Sequence, residues 1–120
     1  MARLDEERKD MLDLLKERGI SDDHILSAMM RVERHMFVPP AFVNRAYDDT
    51  ALPIASSQTI SQPYTVAFMT QELAPKKGAK ILEIGTGSGY QAAILAELGC
   101  RVFTVVRYLV EASASGSSSG

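Results

Sequence analysis

Lys80-Ile81-Leu82-Glu83-Ile84-Gly85-Thr86-Gly87-Ser88-Gly89-Tyr90 decides the reading of this 120-residue chain. Ile81, Leu82 and Ile84 make a short apolar run with β-branched members, which predicts a buried parallel strand. Gly85, Gly87 and Gly89 follow at once, and then a helix-forming run over 91–98. Strand, glycine loop and helix together make a ligand site: glycine lets the backbone approach a bound molecule, and a helix start offers free N–H groups and a positive dipole end. A dinucleotide fingerprint would place a glycine at position 90, where this chain has Tyr90. The pattern is instead Glu83-x-Gly85-x-Gly87-x-Gly89, an acid on the strand ahead of three alternating glycines. A tight turn could use the same glycines without a ligand. The agreement of strand, acid, loop and helix favours the ligand.

Upstream, residues 5–18 read as an amphipathic helix with Met11, Leu12 and Leu15 on one face and Gly19 as its stop. Ser21 is placed to cap a second helix, with Asp22 and Asp23 in its first turn and Ile25, Leu26, Met29 and Val32 as its apolar face. Met29, Met30 and Met36 read as core filler. Phe37-Val38-Pro39-Pro40 breaks the pattern, a short helical piece is expected over 41–45, and residues 46–62 form a long structured loop. Pro63 opens a further helix that ends by Pro75, with Val66, Met69 and Leu73 on one face. After Gly99, a strand over 101–106 completes one βαβ unit, which should be right-handed.

Composition narrows the class. With 46% hydrophobic residues, 23% charged residues and a net charge of −2, the chain is an ordinary globular domain. It carries no mark of a nucleic-acid or membrane partner. Its single cysteine, Cys100, allows no internal disulfide and points to a cytoplasmic location. At a strand entry it reads as a small buried hydrophobe. No spacing of His, Cys, Asp or Glu suggests a metal site. Residues 113–120, Ser-Ala-Ser-Gly-Ser-Ser-Ser-Gly, read as a flexible tail of the kind a linker or cloning scar leaves. The domain is therefore expected over 1–112.

The acid-and-glycine pattern resembles the first motif of the class I methyltransferases, which bind S-adenosylmethionine. Three upstream segments sharpen the likeness: His35-Met36-Phe37-Val38-Pro39, Tyr47-Asp48-Asp49-Thr50-Ala51-Leu52-Pro53-Ile54 and Gln58-Thr59-Ile60-Ser61-Gln62-Pro63-Tyr64. In that order, over residues 5–105, they resemble the protein-L-isoaspartate O-methyltransferases. The resemblance implies an α/β fold: N-terminal helices plus the first βαβ unit of a Rossmann-like class I methyltransferase, cut short. It implies a repair enzyme that methylates isoaspartyl carboxylates of damaged proteins, the ester closing to a succinimide that hydrolyses partly to aspartate. It assigns Ser61 an active-site role and gives the cofactor to Thr59, Ile60, Glu83, Gly85, Thr86, Gly87, Ser88 and Gly89. Glu83 would serve the cofactor's ammonium group, directly or through water. Asp48 or Asp49 would order the loop. Simple capping of the helix at Pro63 is the alternative role for Ser61. A carboxylate acceptor is already ionised near neutral pH, so no strong base is needed. His24 and His35 then read as solvated or structural.

Two departures from the family pattern bear on activity. The family places a ribose-binding acid at the end of the second strand, where this chain has Val106, and losing that acceptor should weaken binding by about ten- to a hundredfold. Ser56-Ser57 also stands where glycine usually precedes Gln58. Second, the pattern breaks off near Ala112 after two strands of the sheet that the resemblance implies, so this chain alone is expected to be inactive. The apolar run from Val105 to Val110 also leaves a strand edge that should pair with a second copy, burying Val105, Val106, Tyr108 and Leu109 in a homodimer. The alternative to an active enzyme is therefore a non-catalytic fragment, engineered or evolved, that folds by self-association.

Overall fold

The structure, a computed structural model, describes residues 2–54, 58–84 and 87–105. Expectations for Ser56, Ser57, Gly85, Thr86, Val106, the dimer strip beyond it and the 113–120 tail lie outside the described residues.

Two helices open the chain, α1 (Ala2–Glu17) and α2 (Asp23–Arg31). Met11, Leu12 and Leu15 of α1 meet Ile25, Leu26 and Met29 of α2 in the core, as their helical spacing requires. The cap of α2 is Asp22 rather than Ser21: its carboxylate accepts from the amides of His24 at 2.9 Å and Ile25 at 3.2 Å. The carboxylate is the better acceptor at a positive dipole end. The Ser21 amide instead donates to Gln71 Oε1 at 3.0 Å, tying the α1–α2 turn to the next long helix.

Tight 3₁₀ turns over Arg34–Phe37 and Pro40–Arg45 lead into the loop. The prolines at 39 and 40 explain this, since they fix φ and remove amide donors. Met36, expected in the core, is 72% exposed, because the 3₁₀ turn points Arg34 inward instead. The loop carries two short strands, β1 (Leu52–Pro53) and β2 (Thr59–Ile60), paired antiparallel with Leu52 opposite Ile60. Both of these side chains are buried and anchor the pair in the helical core.

Helix α3 (Pro63–Leu73) starts at Pro63 as expected. Its buried face is Pro63, Val66, Ala67 and Thr70, whereas Met69 and Leu73 are exposed. A threonine can hold the inner face because its hydroxyl is satisfied: it donates to the Val66 carbonyl at 2.7 Å and accepts from Gln91 Nε2 at 2.8 Å.

Strands β3 (Lys80–Ile84) and β4 (Arg101–Val105) pair in parallel, Ile81 opposite Val102 and Leu82 opposite Phe103, with α4 (Tyr90–Glu97) as the crossover. An Arg31–Glu97 ion pair at 2.8 Å joins α4 to α2. Cys100 is buried, as its reading as a small hydrophobe anticipates. The expectation of a strand buried on both faces is not met. Ile81, Glu83 and Val102 are partly covered, but Leu82 is 62%, Ile84 71% and Phe103 50% exposed. Among the described residues the helices cover only one side of this pair.

Candidate functional site

The loop between β3 and α4 is shaped by positive backbone angles. Gly89 is the residue before α4, with φ 85°, and Gly87 has φ 57°. Glycine alone adopts these at little cost. A Cβ at Gly87 would lie 3.2 Å from the Thr59 carbonyl oxygen and 4.0 Å from Gln58 Oε1. The glycine loop thus lies against the Thr59 backbone, whose carbonyl would have to give by a few tenths of an ångström to admit a side chain at Gly87. The Ser88 hydroxyl accepts from the Tyr90 amide at 3.1 Å, satisfying one of the donors that a helix start leaves without a carbonyl. Gly87, Ser88 and Gly89 therefore sit where the sequence reading put them.

Glu83 stands one residue before the end of β3, on the covered side of the strand pair. Its Oε1 is buried and has no hydrogen-bond partner among the described residues. Burial pushes this carboxyl above its ordinary value of 4.5. An unpartnered buried carboxylate oxygen is costly unless a donor reaches it.

Ser61 follows β2 directly and its side chain is exposed. It does not cap α3. The capping position is Gln62, which makes no side-chain cap bond. The helix start is held from a distance by Asp49, whose Oδ1 accepts from the Tyr64 amide at 2.8 Å. Its Oδ2 accepts from Gln62 Nε2 at 3.2 Å and Arg18 at 2.5 Å. Asp49 therefore orders the loop, whereas Asp48 makes only an exposed pair with Arg45. Ile60 is buried and Thr59 exposed, so of this pair Thr59 presents its side chain outward.

Behind Ser61 lies Arg34, fully buried. Its guanidinium donates to the carbonyls of Ala46, Thr50 (3.0 Å) and Ser61 (3.1 Å). Desolvation lowers its pKa from the ordinary guanidinium value, opposed by Tyr90 and Asp49. Its carbon centre lies 5.7 Å from the centroid of the buried Tyr90 ring, which also meets Phe37 edge-on. The Tyr90 hydroxyl has no partner among the described residues, and burial pushes its pKa far above 10. Arg34 was not legible as a structural centre, because Glu33-Arg34-His35 reads as a charged surface turn. Gln58 was quoted only as motif text; its closeness to Gly87 needed the tertiary structure. His35 is structural, its Nδ1 2.8 Å from the Tyr47 hydroxyl, and His24 is exposed. Gly85 and Thr86 lie outside the described residues.

Comparison with known proteins identifies what this arrangement is similar to. Residues 6–114 match the model of the protein-L-isoaspartate(D-aspartate) O-methyltransferase (PCMT) family. The protein-L-isoaspartate O-methyltransferase of Salinibacter ruber is 52% identical over 102 residues, 85% of this chain and 44% of the relative. That of Methanoregula boonei is 54% identical over 103 residues, 85% of this chain and 48% of the relative. The chain thus spans less than half the length of these relatives. A solved protein-L-isoaspartate O-methyltransferase superposes with TM-score 0.75 at 30% identity, over 87% of this chain and 36% of that one. A Plasmodium falciparum structure assigned as a beta-aspartate methyltransferase, in complex with S-adenosyl-L-homocysteine, gives TM-score 0.70 at 28% identity over 83% of this chain and 49% of that one. The helices and parallel pair are therefore part of a class I methyltransferase fold.

The raised Glu83 pKa makes a prediction about stability. A carboxyl that is harder to ionise in the fold leaves stability complete below 4.5 and withdraws it as pH rises through the raised value. Glu83→Gln should therefore raise the melting temperature at pH 7 and leave it nearly unchanged at pH 4. Thermal melts of both proteins across this range check it; an equal effect at both pH values contradicts it.

Proposed function

Because this chain belongs to the protein-L-isoaspartate(D-aspartate) O-methyltransferase family, we propose that residues 1–112 hold the cofactor of an S-adenosylmethionine-dependent enzyme that methylates isoaspartyl carboxylates in damaged proteins. The observation that carries this reading is the buried Glu83 oxygen, without a partner among the described residues, on the strand leading into a glycine loop. The amino-acid portion of the cofactor brings an ammonium group, which is the charge and the donor that Glu83 lacks. Binding would draw the carboxyl back toward its ordinary acidity. The S-adenosylhomocysteine bound in the Plasmodium relative supports the same choice.

Each residue then takes a role. Glu83 takes the ammonium group. Gly85, Thr86, Gly87, Ser88 and Gly89 admit and cradle the ligand, and Thr59 and Ile60 close over it. Ser61, exposed beside them, faces the acceptor. S-adenosylmethionine supplies an electrophilic methyl group. The acceptor carboxylate is ionised at neutral pH and can attack without a base, consistent with two histidines that are either exposed or bound to Tyr47. The protein contributes alignment and exclusion of water. A reducing cytoplasm suits the single buried cysteine.

A second reading has its own observation. Leu82, Ile84 and Phe103 expose one apolar face of the β3–β4 pair. This favours a homodimeric, non-catalytic fragment, engineered or evolved, in which that face and the neighbouring edge meet a second copy.

Calorimetry with S-adenosylhomocysteine tests the first reading. Saturable binding is expected, weakened about tenfold or more by Glu83→Gln. That substitution should leave binding of 5′-methylthioadenosine, which has no ammonium group, unchanged. Val106→Glu should strengthen both by about ten- to a hundredfold by restoring an acceptor for the ribose hydroxyls. No saturable heat at millimolar ligand would sink the reading. For the second, sedimentation should show twice the 13.1 kDa chain mass, with Ile84→Lys returning it to one. A compact wild-type monomer contradicts the dimer.

A further inference from the structure

We propose that Arg34 is a positioning residue that couples the acceptor-side segment around Ser61 to the glycine loop, so that cofactor affinity depends on a side chain outside the loop and its cover. The proposal rests on the reading above for what binds. Its mechanical part rests on geometry alone.

Among its described residues, the segment from Ala46 to Ser61 has little regular structure, its strands β1 and β2 being two residues each. A stretch so poor in internal hydrogen bonds needs external ones to keep one conformation. Arg34 provides them at its two ends and near its middle, through the carbonyls of Ala46, Thr50 and Ser61. The rigid fork of a guanidinium fixes the relative placement of these carbonyls as a single ammonium cannot. Asp49 beside Thr50 takes the Tyr64 amide and the Gln62 side chain, so the residues that follow Ser61 are tied to the same junction as its own carbonyl. That hydroxyl itself is left exposed. The fork also lies against the ring of Tyr90, the first residue of α4, whose amide the loop residue Ser88 holds. On the other side, the Thr59 carbonyl, two residues before Ser61, rests on Gly87. Arg34 thus reaches the cofactor loop by two routes, through Tyr90 beneath it and through the Thr59–Ser61 backbone against it. A shift of a few tenths of an ångström in this backbone would move it into, or away from, the contact at Gly87.

Hydrogen exchange combined with calorimetry tests the coupling in the full chain. Arg34→Lys keeps the charge but loses the fork; Arg34→Met keeps the length and removes a buried charge. In both, the Ile54, Tyr64 and Val66 amides, bonded to Gln58, Asp49 and Gln62, should exchange at least about tenfold faster. The Ile20 and Val32 amides, bonded within the first two helices, should not. S-adenosylhomocysteine should bind about tenfold or more weakly to both variants. Faster exchange at all five amides, or loss of the whole fold in both variants, would make Arg34 a general core residue and overturn the proposal. So would unchanged exchange, or faster local exchange with unaltered affinity. If the unsubstituted chain binds no S-adenosylhomocysteine, the functional reading fails, and the exchange pattern alone decides whether Arg34 holds the junction.

Discussion

A buried arginine is the constraint on which this structure turns. Removing a guanidinium from water is unfavourable unless its donors are satisfied, and Arg34 is fully buried. Backbone carbonyls of the loop supply partners for its two terminal nitrogens, while its Nε has none among the described residues. The dependence is mutual: the loop offsets part of the penalty of the buried charge, and the charge, together with Asp49 and the buried Leu52 and Ile60, holds the loop. The helical core of α1, α2 and α3 then serves as a foundation. It places Arg34, and Arg34 places the strand β2 that lies over the glycine loop.

Glu83 shows the opposite balance. Its buried Oε1 lacks a partner among the described residues, and burial resists its ionisation. A glutamine there would suit the fold better at neutral pH. A residue that opposes stability in one state is explained when a ligand completes it in another. The two charged residues therefore differ in degree: Arg34 finds three backbone carbonyls, though its buried Nε has no partner among the described residues, and Glu83 Oε1 finds none there. The open face of β3 and β4 is a third feature of this kind, an apolar surface of Leu82, Ile84 and Phe103 that the described helices do not cover.

Much of the site was legible in the text of the chain. The strand, the glycines and the helix after them follow from local rules, and Gly87 and Gly89 have the positive φ angles that make glycine necessary. The apolar stripes of α1 and α2 were readable for the same reason: helical period decides which face is buried. What failed were cases where a polar side chain found a tertiary partner. Thr70 displaced Met69 and Leu73 from the inner face of α3 because Gln91 and the Val66 carbonyl satisfy its hydroxyl. Asp49, 14 residues before Pro63 in number, took the capping task that local reasoning gave to Ser61. Arg34 went inward while Met36 went out, since three carbonyls converge only once the loop is folded.

If the glycine loop, Glu83 and the backbone of Thr59 form one binding surface for S-adenosylmethionine, a single ligand should register at all three. In a two-dimensional amide NMR titration with S-adenosylhomocysteine, saturable shifts are expected at Thr59, Ile60 and Glu83 and at Gly87 through Tyr90, with the amides of α1 unmoved. Shifts confined elsewhere, or none at saturating ligand, would contradict it.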